Sequence, residues 1–212
     1  MSLALDHIGL ICGDLDAGAQ AFHRDTGVEL GPGGTHPRMG THNRLLNTGG
    51  GTYLELIAVN PAAPKPDQPR WFGLDAVGPD QGPRLSFWMV RVDDLDAAIR
   101  IAGAEGYDAG QPVAMSRGDL SWRLSIRADG ALPFDGAAPI MIEWPEGTHP
   151  TQNMAAGGLT LRKLHVRHPH ADRISACCRA LGGVPDHVEF ATGDVTLVAD
   201  MAADTGGRVR IG

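Results

Sequence analysis

Lysine is almost missing from this chain. Only Lys65 and Lys163 occur among 212 residues, and 18 basic residues face 25 acidic ones, a net charge of −7. Phosphate-rich partners are held by clustered Lys and Arg. The arginines here are scattered, so the composition argues against nucleic acid and anionic membrane surfaces. Long apolar runs are also absent, and nothing approaches the roughly 18–20 residues of a membrane span. The start, Met1 to His7, has neither the basic region nor the apolar core of a signal peptide. Cysteine is scarce: Cys12, Cys177 and Cys178 make an odd set of three. Two are adjacent, which suits neither a disulfide framework nor a zinc site. A reducing cytoplasm is the expected compartment.

What is plentiful is glycine (29) and proline (15), the residues of turns, on a background 42% hydrophobic and 20% charged, ordinary for a globule. An internal repeat organises the chain. Ile11-Cys-Gly-Asp-Leu-Asp-Ala17 recurs as Arg91-Val-Asp-Asp-Leu-Asp-Ala97, and Ile8 to Val28 aligns without a gap to Leu164 to Val184. Each copy reads as an apolar strand, a polar corner and a helix stopped by glycine. In the first, Asp14 is the expected N-cap, Leu15, Ala19 and Phe22 the buried stripe, and Gly27 the stop. The second uses Leu95, Ala98, Ile99 and Ala102, and the third Ile174, Cys177, Cys178 and Leu181, with both cysteines as small core residues.

Strand signals follow each helix: His42 to Thr48 and Tyr53 to Val59, then Trp122 to Arg127 and Ile140 to Trp144, then Val188 to Ala191, Val195 to Ala199 and Arg208 to Ile211. The expected fold is α+β. Tandem βαβββ modules form a curved, cup-shaped mixed sheet with helices outside, and a third partial module packs on it. The expected boundaries are 1–60, a Pro-rich linker 61–83 anchored by Trp71-Phe72, 84–150, and 160–212.

Side chains alternate along a strand. Leu5, His7, Gly9 and Ile11 are expected on one face of the first strand, and Tyr53, Glu55 and Ile57 opposite the apolar Leu54, Leu56 and Ala58. In the second module Ile140, Ile142 and Trp144 are expected under the helices, which puts Met141 and Glu143 in the cup with His7 and Glu55. An unpaired carboxylate is expensive to bury, so Glu55 is expected to face a polar cavity or a cationic partner. Of His42 and Asn43 only one can point inward. Arg117 suits an anion, Trp122 a flat apolar group, and His149 lies close behind the last strand of the second module. His165, His168 and His170 share no face and read as a solvated corner. No phosphate-binding loop or nucleophile motif is present.

Leu5-Asp-His7 on a first strand and Tyr53-Leu-Glu-Leu56 on a fourth, in paired βαβββ modules, resemble the vicinal-oxygen-chelate superfamily. Thr35-His-Pro-Arg-Met-Gly-Thr-His-Asn43, Trp71-Phe-Gly-Leu74, Met115-Ser-Arg117 and His149-Pro150 resemble its bacterial glyoxalase-like branch. The resemblance implies a divalent metal (Mn, Zn, Fe or Mg) on His7, Glu55 and Glu143. It also implies a lyase or isomerase acting on vicinal oxygens, with Glu55 and Glu143 as the catalytic carboxylates. His42, Asn43, Phe87, Met89, Arg117, Trp122 and His149 would contact the substrate. The repeat puts Phe87, which cannot bind a metal, where the second module's first-strand ligand would stand. A metal-free protein that sequesters a small hydrophobic or aromatic ligand is therefore a second expectation, and a dioxygenase-type enzyme a third. Modules of this type also pair between chains, which leaves a homodimer open.

Overall fold

A computed structural model describes residues 3–212. In the first module, β1 (Ala4–Ile11), α1 (Leu15–Thr26), β2 (Thr35–His36), β3 (Thr41–Gly49) and β4 (Thr52–Val59) follow in order. In the second come β5 (Arg84–Arg91), α2 (Leu95–Ala104), β6 (Gln111–Arg117), β7 (Leu120–Ile126) and β8 (Ile140–Glu143). These strands form one eight-stranded sheet in the order β2-β3-β4-β1-β5-β8-β7-β6. The two first strands pair antiparallel at its centre, and each pairs parallel with the last strand of its own module. The sheet curves until its ends approach: the Arg38 guanidinium, beyond β2, donates to the Ala114 carbonyl of β6 at 3.2 Å.

The repeated Asp-Leu-Asp-Ala motif is a helix start in both modules. Asp14 and Asp94 accept the backbone N–H of Ala17 and Ala97 at 2.8 and 2.9 Å, satisfying an otherwise orphaned first-turn donor. Gly27 closes α1 in the left-handed conformation, φ 73°. The third stretch, β9 (Leu159–Arg167), α3 (Ala171–Ala180), β10 (Val188–Ala191), β11 (Thr196–Ala203) and β12 (Arg208–Ile211), makes a separate four-stranded sheet, β10-β9-β11-β12. Here β11 takes the antiparallel place beside β9 that β5 takes beside β1.

Two apolar clusters lie on opposite faces of the large sheet. The larger, with Ile8, Leu10, Leu54, Leu56, Trp88, Val90 and Met141, packs under the helices and the small sheet, and includes the buried Cys177 and Cys178. The smaller fills the concave face with Ile57, Phe87, Met89, Ile140, Ile142 and their neighbours. The alternation expected for β4 and most of β1 holds. It breaks at Asp6, where the β1–β5 register shifts between Leu5 and His7. Leu5 therefore joins the helix-side cluster instead of sharing a face with His7.

The expected faces of β8 are reversed. Met89 lies beside Ile140 and Val90 beside Met141 in the parallel β5–β8 register, so Ile140 and Ile142 face the cup and Met141 the helices. Both faces of this strand are buried and apolar, so hydrophobicity alone could not fix its parity. β6 and β2 were not foreseen as strands. The segment expected to be a linker forms a short helical turn over Trp71–Ala76 that puts Trp71 and Phe72 into the concave cluster.

At the centre of the cup the chain needs a glycine. A Cβ on Gly9 would stand 2.0 Å from Cζ of Phe87, which crosses β1 at this point. Gly9→Ala should therefore destabilise the fold by about 2 kcal/mol or more through overpacking. Phe87→Leu in the same chain should return part of that loss, giving a non-additive double-mutant cycle in urea unfolding.

Candidate functional site

The cup floor is built where β1, β3 and β4 run side by side. His7 is opposite Tyr53 and Gly9 opposite Glu55 in the parallel β1–β4 pair, while Asn43 and Leu45 of β3 face Ile57 and Glu55. Asn43 is thus the inward residue. His42 lies on the helix side with Arg44 and Leu46; Arg44 bridges to Asp16 of α1 at 2.8 Å. His42 does not contact the cup, and strand parity is the reason.

His7 and Glu55 are both buried, with Nε2 and Oε2 3.7 Å apart. That is an ion-pair distance too long for a direct hydrogen bond. Asn43 Nδ2 donates to Glu55 Oε1 at 2.5 Å, and Asn43 Oδ1 accepts from the Gly34 N–H at 2.8 Å and Arg117 Nη1 at 3.0 Å. The last bond joins β3 to β6 across the mouth. A Cβ on Gly34 would meet Arg117 Cδ at 2.4 Å, so this approach requires glycine.

Behind His7 stands Asp6, fully buried. Its Oδ1 lies 2.7 Å from His7 Nδ1, and its Oδ2 lies 3.0 Å from Arg91 Nε, 3.1 Å from Trp144 Nε1 and 3.1 Å from His149 Nε2. Burial opposes charge on Asp6, His7 and Glu55, but the pairing outweighs it. The two histidines hold the Asp6 carboxyl far below its ordinary range. Against its own desolvation, His7 is pushed up to about 9 by the Asp6 and Glu55 carboxylates. Glu55 is also buried, yet His7, His36 and Asn43 lower its pKa. The floor at neutral pH is an imidazolium between two carboxylates. His36, on the wall, is driven the other way by desolvation, down to about 4, and stays neutral.

The walls are aromatic. Tyr53 stacks on His7 at 4.3 Å, Phe72 stacks on Phe87 at 4.4 Å, and Trp122 lies 5.4 Å from Trp144. Tyr53, Trp71, Phe72, Met89, Arg117, Trp122 and Trp144 line a partly open cavity over His7 and Glu55 whose inner space, about 30 Å³, has room for a water molecule or two.

The structure brings together His7, Glu55, Asn43, Met89, Arg117 and Trp122 around the cavity, packs Phe87 against His7 and Phe72, and sets His149 on Asp6. Glu143 does not join them. It points outward to Arg123, 3.3 Å away, which also reaches Asp96 of α2. The sequence reading passed over Asp6, His36 and Trp144 as site residues. The signal for Asp6 was its place beside His7, but period-2 alternation sends it to the other face, and only the register shift brings it round.

The expected metal set therefore fails as a unit. Glu143 is on the wrong face, Phe87 has no donor atom, and His7 Nδ1 is committed to Asp6. Among the described residues, no group of three or more His, Cys, Asp or Glu is placed to hold a metal. A resident Mn, Zn, Fe or Mg would find two converging donors, His7 and Glu55, where catalytic sites use three or more. The residues present do not fit such an ion.

Among solved structures, a hypothetical protein from Staphylococcus aureus resembles this chain with a TM-score of 0.58 at 19% identity, over 100% of this chain and 86% of the other. Methylmalonyl-CoA epimerase from Mycobacterium tuberculosis gives 0.44 at 24% identity, over 67% and 88%. A hypothetical protein from Bacillus halodurans C-125 gives 0.45 at 17% identity, over 70% and 99%. The likeness is one of fold. No curated protein matches the sequence significantly. No helix among the described residues is long and apolar enough to cross a membrane. The family model for the glyoxalase-like domain matches residues 5–182. On that match, and on the paired βαβββ modules that carry it, the chain belongs to the glyoxalase-like domain family.

Proposed function

We propose that the protein is a small-molecule lyase or isomerase that moves a proton next to vicinal oxygens, using Glu55 and His7 in place of a metal. The observation that carries this reading is the buried Glu55–His7 pair, 3.7 Å apart and bordering the cavity. A substrate oxygen seated beside the pair can accept from His7 Nε2–H while Glu55 stays close enough to reach the adjoining carbon. Glu55, ionised, takes a proton from carbon beside a carbonyl. The His7 Nε2–H stabilises the oxyanion that develops, and the proton returns from Glu55 to the neighbouring position. Asn43 orients the carboxylate through Oε1. Arg117, which pairs with no carboxylate among the described residues, supplies a donor for a substrate anion. The aromatic walls suit a flat compound and exclude water.

A second reading is a cup that binds a small aromatic ligand without turnover. Phe87 in place of a ligand histidine and the wall of Trp71, Phe72 and Trp122 favour it. Glu55→Gln separates the two. Under the leading reading it lowers kcat by about 10²–10⁴-fold, the usual worth of a general base, with ligand affinity retained. Equal turnover in the variant would sink the proton-transfer role. Elemental analysis of protein purified without a metal-affinity tag or chelator, then soaked with Mn²⁺, Zn²⁺, Fe²⁺ or Mg²⁺, should give well under one metal per chain. Stoichiometric metal lost in His7→Ala would restore the metal mechanism.

Stability should carry the signature of the charged floor. The unfolded chain releases the His7 proton near 6.5 and the folded protein near 9, so this contribution is full below about 6.5 and is lost as pH rises towards 9. Asp6 and Glu55, with lowered values, contribute above their ordinary 3.8 and 4.5 and lose that contribution as pH falls through their folded values. His36, neutral down to about 4, contributes above 6.5 and loses it as pH falls towards 4. The melting temperature should therefore peak near pH 6.5. His7→Asn should flatten the limb between pH 6.5 and 9, worth on the order of a few kcal/mol in the wild type. An unchanged limb would show that His7 is not held protonated.

A further inference from the structure

Trp71, Trp88 and Trp144 differ in one respect. Trp88 donates its indole N–H to the Ala137 carbonyl at 3.1 Å, and Trp144 to Asp6 at 3.1 Å. Trp71 is buried, 3% exposed, but its Nε1 has no hydrogen-bond partner. Five buried side-chain polar atoms among the described residues lack a hydrogen-bond partner, on His42, Arg44, Arg70, Trp71 and Glu143. Of these residues only Trp71 lines the cup, beside His7, Glu55, Asn43 and Arg117. An indole N–H only donates and cannot titrate away its need, and native proteins leave few such groups unmet.

The chain also holds Trp71 in place at some expense. Phe72, the next residue, has φ 60° and ψ 20°, a left-handed conformation in which a bulky aromatic is an outlier. The corner is pinned by the Arg70 N–H on Asp75 at 2.9 Å, the Gly73 N–H on the Gly130 carbonyl at 2.8 Å, and the stack of Phe72 on Phe87. Backbone strain of this kind gathers at ligand clamps, where the surroundings over-determine it. His36 meets the Trp71 ring edge-on at 5.0 Å and helps to fix its orientation.

We infer that Trp71 is a specificity-determining residue whose indole N–H donates to an oxygen of the bound ligand, selecting small, flat compounds with at least two oxygens. One oxygen accepts from His7 Nε2–H, and a second accepts from the Trp71 indole N–H. The inference rests on the cup being the substrate site. In the ligand-free protein a water can satisfy the donor, and the ligand oxygen takes its place. A hydrocarbon of the same shape leaves the donor unpaired and is rejected.

The test uses the ¹⁵N-labelled chain with two small probes, oxalate and glyoxylate, each with neighbouring oxygens. The Trp71 indole signal is identified by its loss in Trp71→Phe. The expected result is that this signal and the Asn43 side-chain amide both shift on titration, and that Trp71→Phe weakens probe binding by about tenfold, the usual worth of one good hydrogen bond. If the Asn43 amide moves while the indole does not, or Trp71→Phe binds as well as wild type, the role of Trp71 is overturned and the cup stands as the site. If neither probe moves either signal, the substrate reading and this inference fall together. Should Trp71→Phe not fold, the indole signal is assigned through its contacts with the His36 and Phe72 rings, and the wild-type titration decides.

Discussion

The site depends on a carboxylate that never meets water. Asp6 is fully buried, and an isolated buried charge costs several kcal/mol even after relaxation. It is tolerated because four groups converge on its two oxygens: His7 on one, and Arg91, Trp144 and His149 on the other. His7 belongs to the first module; Arg91 is the last residue of β5, and Trp144 and His149 follow β8. The ionic knot therefore ties the modules together at the strands that pair in the centre of the sheet. Any change that removes one partner leaves the others facing an under-compensated charge, so the geometry of His7 is held by the whole knot rather than by its own rotamer.

That constraint explains the irregularity in β1. With strict alternation, Asp6 would enter the helix-side cluster among leucines, where no donor waits. The shift in register between Leu5 and His7 turns Asp6 and His7 towards the same side and returns Leu5 to the apolar face. A local departure from regular pairing costs little at a strand start, and here it lets two adjacent polar residues share one cavity.

The architecture was legible because it rests on local patterns that recur. The Asp-Leu-Asp-Ala corner names a helix start by its capping chemistry, and β4 shows one polar residue, Glu55, between apolar neighbours. The cup half built from β1 and β4 followed from these. β8 did not, because Ile140 to Ile142 is apolar on both faces and the parity of Glu143 was set by pairing with β5 rather than by composition. Trp71 and Phe72 were visible as an anchor. Their entry into the cup comes from a turn closed by contacts with Asp75 and Gly130, the second of them far along the chain. Asp6 was hidden by the alternation rule that placed its neighbours correctly.

The two halves of the cup have diverged in character. The first module supplies His7, Asn43, Tyr53 and Glu55, all polar and interconnected. The second supplies Phe87, Met89, Leu124, Ile140 and Ile142, with Arg117 and Trp122 at the rim. Phe87 fills the place that the repeat gives to a His7 counterpart, and Gly9 makes room for its ring. The exchange removes a donor from the cup and lowers the local dielectric beside the Glu55–His7 pair. Charges in such surroundings interact more strongly than in water, and Asp6 and Asn43 help to hold the pair at full charge. An apolar half-cup thus strengthens the ion pair of the other half, while its flat surfaces set the shape of what can approach it.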